Sequence, residues 1–170
     1  SNFSNLNPLK LSLTKVNDSL FRTNETNVNG FTGFGISVFD RQDLANNKNG
    51  VYKISTYYND ELINSINYDA FFFEESILIN TLIDYKYYKN NKERIIKLFK
   101  TPGNTLNIYK NLNDGLINEV KGNSTFKIII SDIKNNKLYV EIPIDSKKNI
   151  KSENKKLNTE FTFNRKINNN

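Results

Sequence analysis

Apolar and polar residues alternate with a period of two along most of the chain. The alternation is clear at residues 9–14, 34–38, 106–108, 126–130 and 138–142. Successive side chains of a strand point to opposite faces, so this period predicts strands with one buried face. Turn-forming pairs separate the runs: Asn29-Gly30, Asn49-Gly50, Asn59-Asp60, Asp114-Gly115, Gly122-Asn123 and Asn135-Asn136. Together they predict a mainly β fold, an antiparallel, immunoglobulin-like β-sandwich.

One part of the chain departs from the period of two. Residues 74–88 place apolar side chains at both the strand and the helix period, and residues 93–99 are equally ambiguous. The predicted fold therefore allows one short helix here. The expected core is drawn from the alternating runs and the aromatic cluster near residue 72: Leu11, Phe34, Ile36, Val38, Val51, Ile54, Phe71, Phe73, Ile83, Leu106, Ile108, Ile128, Ile130 and Val140.

The pattern divides the chain into three parts. Residues 1–8 are polar and are expected to form an N-terminal connector, while residues 9–145 carry the β-sandwich. Residues 146–170 begin as a charged, linker-like stretch and then alternate again around Phe161 and Phe163. That second alternation indicates either a final strand or the start of a further domain.

The composition excludes several catalytic mechanisms and metal sites. The 170 residues include no histidine and no cysteine, which excludes a Ser-His-Asp mechanism and a zinc site of the usual His-containing type. The net charge of +6 indicates either an anionic partner or a composition rich in Lys and Asn, and Asn alone occurs 31 times. The sequence contains no long basic block of the kind that would indicate binding to nucleic acid. It also contains no apolar run of about 18 residues that would indicate a transmembrane segment.

Glu74 and Glu75 form an acidic pair beside the three consecutive aromatic residues at 71–73. Neighbouring residues of a strand face opposite sides, so these carboxylates would not share one cleft as a glycosidase requires. One interpretation is a carboxylate-based hydrolase. The other is a buried, hydrogen-bonded or Arg-paired Glu next to an exposed one.

Residues 40–49 carry Asp and Asn side chains that offer oxygen ligands. Their spacing is looser than that of a calcium-binding loop, in which ligands recur at every second position. An Asn-rich surface loop is the alternative, and no metal site is predicted in this chain.

A third group interleaves aromatic rings with cations: Tyr85, Lys86, Tyr87, Tyr88 and Lys89. Such a composition suits stacking on sugars or bases, with the ammonium groups beside the rings. The alternative is that the tyrosine rings pack on a sheet and only their hydroxyls meet water. We predict these five residues as a candidate binding surface.

Several segments, taken in order, carry a resemblance to a known family. They are Asn7-Pro-Leu-Lys-Leu, Gly33-Phe-Gly-Ile-Ser-Val-Phe-Asp40, Asn47-Lys-Asn-Gly-Val-Tyr-Lys53, Tyr68-Asp-Ala-Phe-Phe-Phe-Glu-Glu75, Asn80-Thr-Leu-Ile-Asp-Tyr85, Leu98-Phe99, Pro102-Gly-Asn-Thr-Leu-Asn-Ile-Tyr109, Asn113-Asp-Gly-Leu, Ile128-Ile-Ile-Ser-Asp132 and Val140-Glu-Ile-Pro143. Over residues 7–144 the chain resembles the non-catalytic β-rich domain that follows the catalytic module in M23-family (lysostaphin-like) metallopeptidases of Bacteroidota.

The resemblance implies a context rather than a catalytic residue. It implies an exported protein of the periplasm or cell envelope, whose separate module holds zinc and cleaves peptidoglycan cross-links. The zinc motifs His-x-x-x-Asp and His-x-His are absent here, so no catalytic, cofactor or metal residue carries over. The family's Arg-Tyr pair is replaced by Ile77-Leu78, and its Arg is either lost or replaced by Arg94. Glu74, Glu75, Asn80, Asp84 and Arg94 are expected to be structural polar residues.

Three hypotheses follow. The first is a non-catalytic accessory domain that positions, caps or restrains an M23 catalytic module, with zinc only in that module. The second is a module that binds peptidoglycan or a protein, through the tyrosines around residue 85. The third is the hydrolase built on Glu74 and Glu75.

Overall fold

The computed structural model describes residues 8–28, 30–39, 51–68, 79–105, 108–111, 114–120, 122–146 and 158–164. For residues 38–39, 79–80, 110–111 and 158–164 the description is of the backbone. Within these residues the chain forms twelve strands and two short helices.

The strands of the described residues assemble into two sheets. The smaller sheet has four strands in the order β1 (Pro8–Leu11), β12 (Asn158–Asn164), β5 (Phe34–Phe39) and β8 (Ile96–Lys97). The larger sheet runs in the order β2 (Leu13–Lys15), β3 (Leu20–Thr23), β11 (Lys137–Asp145), β10 (Ser124–Asp132), β6 (Val51–Tyr58), β7 (Glu61–Asn67) and β9 (Tyr109–Asn111). Strand β4 (Thr26–Asn27) also pairs with β11.

The centre of the larger sheet is antiparallel, as the sequence predicts. Strands β7, β6, β10 and β11 pair in turn, and tight turns connect β6 to β7 and β10 to β11. Asn59 and Asp60 adopt φ values of 48° and 65°, and Asn135 adopts 63°. Asn and Asp tolerate this left-handed region better than other side chains do, which is why these residues mark the turns.

The mainly β, sandwich-like class is confirmed, and the edges of the sheets add a feature that the sequence did not predict. β3 and β4 run parallel to β11, and β12 runs parallel to both β1 and β5. The hydrogen-bond pattern is therefore mixed. Parallel neighbours require long connections, because a tight hairpin joins only antiparallel strands.

One hydrophobic core lies between the sheets. Phe34 of the smaller sheet stacks on Phe126 of the larger one, with ring centroids 4.1 Å apart and an interplanar angle of 23°. Of the predicted core, these side chains are buried: Phe34, Ile36, Ile54, Ile108, Ile128, Ile130 and Val140. Leu11 and Val51 are partly buried and pack against this core.

The remaining core predictions have other outcomes. Ile83 is only half-buried, and its backbone forms an isolated bridge with Ile96. Phe71, Phe73 and Leu106 lie outside the described residues, as does the side chain of Val38.

Buried hydrogen bonds also join segments that are distant in sequence. Asn64 on β7 is 1% exposed, and its Nδ2 donates to the carbonyl oxygen of Leu98 at 2.8 Å. Thr32 and Ile117 exchange two backbone hydrogen bonds of 2.9 Å. These links fix segments that are distant in sequence, so the loops around residues 98 and 115 are part of the packed structure.

The ambiguous stretch before residue 92 is helical where it is described. A single turn, α1 (Ile79–Leu82), precedes the seven-residue helix α2 (Tyr85–Asn91). The second ambiguous stretch, residues 93–99, contains strand β8. At the other end of the chain, the alternation around Phe161 corresponds to a strand, β12, of the smaller sheet. Within the described residues, neither helix has the length and apolar composition needed to cross a membrane.

Candidate binding surface on helix α2

Helix α2 is a surface element that depends on its caps. Asp84 is the N-cap, with extended backbone angles, and its Oδ1 accepts a 2.9 Å hydrogen bond from the Tyr87 N–H. Lys92 ends the helix in the left-handed conformation, and its N–H donates to the Tyr88 carbonyl at 2.8 Å. None of the seven residues is buried, so core packing contributes little and these caps hold the helix.

The residues that flank α2 attach it to the edge of the smaller sheet. The Asp84 N–H donates to the Ile95 carbonyl at 2.9 Å, and Ile83 forms a bridge with Ile96 of β8. Leu82 and Ile95 are 3% and 2% exposed. An exposed helix is therefore bracketed by two buried side chains, which fixes its position on the sheet.

Two tyrosine–cation pairs lie along one side of α2. The Lys89 Nζ is 5.9 Å from the centroid of the Tyr85 ring, and the Arg94 guanidinium carbon is 5.7 Å from that of Tyr88. Both distances are within the range of a cation–π interaction. We call Tyr85, Tyr88, Lys89 and Arg94 the tyrosine–cation face. Tyr85 is 49% exposed, which leaves much of its surface open to a ligand.

The structure separates Tyr87 from that face. At about 100° per residue, Tyr87 is about 200° around the helix from Tyr85. Its hydroxyl donates to Glu93 Oε2 at 3.4 Å, and the same carboxylate is 3.5 Å from Lys10 Nζ. Tyr87 therefore helps to connect α2 to β1. Lys86 is exposed and flanks the tyrosine–cation face on the Lys89 side.

The predicted structural polar residues have different outcomes. Asp84 caps α2, and Arg94 is exposed and lies over the Tyr88 ring. Asn80 lies in α1, where the backbone alone is described. Glu74 and Glu75 lie outside the described residues, so the hydrolase hypothesis stays a prediction. Residues 40–50 lie outside them as well.

Sequence reasoning missed the capping role of Asp84 and the contact between Glu93 and Lys10. A signal for the first was present, since an Asp directly before a helical segment is a preferred N-cap. The second pair is 83 positions apart in sequence, and nothing local encodes it. Across the residues that the structure describes, no three His, Cys, Asp or Glu side chains converge as a metal site would require.

A second polar group missed from sequence contains two tyrosines near β9. Burial raises the pKa of Tyr109 to about 12, and Asn104 Nδ2 donates to the Tyr109 hydroxyl at 3.4 Å. Burial and the neighbouring Tyr109 also raise the pKa of Tyr68 above its ordinary value. Both rings are packed against the core, so the fold favours their neutral forms.

These tyrosines predict a loss of stability in alkali. Above about pH 10 an unfolded tyrosine releases its proton, while folded Tyr109 retains it up to about pH 12. The folded state then binds more protons than the unfolded state, so its stability falls as pH rises through this window. Urea unfolding at about pH 9 and pH 11 should show a smaller loss for Tyr109→Phe than for the wild type. Equal losses in both proteins would contradict the assignment.

The fold and this surface define a mainly β sandwich that displays an aromatic and basic helix at the edge of one sheet. No known protein family matches the sequence. No curated protein matches it, and no solved structure matches it either.

Proposed function

We propose that this chain is a non-catalytic accessory domain of an exported M23-family zinc endopeptidase that acts on peptidoglycan cross-links. The feature that supports the proposal is the ordered set of segments across residues 7–144 that resembles the β-rich domain of that family. The mainly β sandwich is compatible with the β-rich domain to which those segments are similar. Zinc, and the catalysis it supports, belong to the separate module, and this domain contributes contacts.

The tyrosine–cation face is the contact surface that this proposal assigns. Aromatic residues and Arg are enriched where proteins bind each other, because they combine apolar area with a polar or charged end. Tyr85 and Arg94 are both exposed, and neither is needed for the core between the two sheets. The proposed partner is the M23 catalytic module, either in the same polypeptide or in a separate one.

A reconstitution experiment tests the accessory role. A purified lysostaphin-like catalytic module is assayed on cross-linked peptidoglycan with and without this chain, and binding is measured by calorimetry. We expect binding and a changed cleavage rate, both weakened by the double substitution Tyr85→Ala and Arg94→Ala. Tyr139→Ala, on β11 of the other sheet, is the matched control and should leave both unchanged. Absence of binding together with an unchanged rate would overturn the proposal.

A second candidate function is binding to a wall polymer, and the two cation–π pairs favour it. A tyrosine ring offers a flat apolar face to a sugar, and the adjacent Lys89 or Arg94 offers a charge to an anionic group. The net charge of +6 adds a general attraction to acidic polymers.

Sedimentation with insoluble peptidoglycan tests this second function. We expect Tyr85→Ala and Tyr88→Ala each to weaken retention by about fivefold, which corresponds to roughly 1 kcal/mol for an exposed aromatic contact. Tyr139→Ala serves again as the control. If the chain is retained no better than an unrelated protein of similar pI, polymer binding is excluded.

A further inference from the structure

We infer that the slot between β1 and β5 accepts strand β12 from a second copy of this chain, so that two copies associate by exchanging their last strands. This inference is independent of the proposed function, since it concerns the assembly of the smaller sheet.

The smaller sheet is continuous only when a strand lies between β1 and β5. β12 is the ladder partner of β1 at Pro8–Leu11 and of β5 at Phe34–Phe39, and it separates the two. On its other side β5 pairs with β8 at Gly35 and Ile36, and the Leu98 N–H donates to the Phe34 carbonyl at 2.9 Å. Without β12, the backbone groups along β5 would form an open edge beside the fully buried Phe34 and Ile36. An open, apolar edge is a template for pairing with another strand.

The strand before β12 in the sequence, β11, belongs to the larger sheet. β11 ends at Asp145 in the larger sheet, and β12 begins at Asn158 in the smaller one. The residues between them can span about 40 Å when extended, at roughly 3.3–3.6 Å per residue. β12 is also parallel to both neighbours, so no tight turn ties it to either of them.

The connection between β11 and β12 is rich in lysine. Residues 146–157 contain five lysines and a single glutamate. A strand on such a connection forms the same hydrogen bonds in its own slot or in that of a neighbour, which makes exchange of the element inexpensive in free energy.

The absence of cysteine makes a clean test possible. Ser37 of β5 and Thr162 of β12 are opposite each other in the ladder. The buried Ser37 hydroxyl forms no hydrogen bond among the described residues, so Ser37→Cys sacrifices none. Paired strands are close enough for a disulfide.

Two variants of the 170-residue chain, Ser37→Cys and Thr162→Cys, are mixed, refolded together at high concentration and then oxidised. Exchange predicts a disulfide-linked pair of the two chains, at about twice 19.7 kDa on a non-reducing gel. Mixing Ser37→Cys with Thr14→Cys, on β2 of the other sheet, should yield no disulfide between positions 37 and 14. Peptide mapping of the dimer band distinguishes such a disulfide from one that joins two copies of the same variant.

Two results would overturn the inference. One is that the Thr162→Cys and Thr14→Cys mixtures produce the same amount of cross-linked pair. The other comes from the unmodified chain: light scattering should detect dimers whose share rises with concentration, and a monomer at every concentration would exclude exchange. The unmodified chain keeps the second result decisive even if a cysteine variant folds poorly.

Discussion

Replacement of Phe126 by alanine is expected to lower the free energy of unfolding by about 3–5 kcal/mol. Phe126 is fully buried on β10, and its ring stacks on Phe34 of the opposite sheet at 4.1 Å. The substitution removes apolar area from the core and leaves a cavity that the facing strands cannot close without moving. Because domains of this size are marginally stable, such a loss is a large share of the total.

Urea unfolding measures this effect through the shift in midpoint at constant slope. Phe31→Ala is the matched control, since Phe31 is 55% exposed and its removal leaves no core cavity. The control should stay within about 0.5 kcal/mol of the wild type. Similar losses at the two positions would mean that the contact between the sheets does not hold the fold together in the way described.

The central strands could be predicted because their burial follows a local rule. Along β10, side chains alternate between buried and half-exposed, as they do along β11, and this is the period visible in the sequence. The turns between strands were also predictable, since Asn59, Asp60 and Asn135 suit left-handed backbone angles. Both signals depend only on neighbouring residues.

The edges of the sheets were not predictable by the same rule. Alternation shows that a segment is a strand, but it does not show which strand pairs with it or in which direction. β4 and β8 have two residues each, too few to show any period. The parallel neighbours of β11 and β12 depend on contacts between distant parts of the chain.

Which side chains of the candidate binding surface lie together depends on whether residues 85–89 form a strand or a helix. As a strand, residues 85–89 would place Tyr85, Tyr87 and Lys89 on one face. As a helix, they place Tyr85, Tyr88 and Lys89 together and turn Tyr87 towards Glu93. The residue types alone predicted an aromatic and basic surface. Which of these residues lie on one face became clear only from the helix.

Gly115→Ala is expected to be the second most damaging of these substitutions, at about 2–4 kcal/mol. Gly115 has φ of 74°, a conformation that L side chains rarely adopt. A Cβ at this position would also overlap the carbonyl oxygen of Leu98 and would be 3.1 Å from the Asn64 Cβ. Leu98 is held in place because its carbonyl accepts the buried Asn64 amide, so the backbone cannot move aside without breaking that hydrogen bond.

Gly122→Ala separates the two causes of that loss. Gly122 has a similar φ of 62°, but a Cβ there would meet no described atom within 4 Å. Its substitution should therefore cost only the backbone strain, about 1 kcal/mol. Urea unfolding of both variants gives the difference, which is the contribution of the close approach among Gly115, Leu98 and Asn64. Equal losses would show that strain alone acts at Gly115 and that the loop can move away from the sheet.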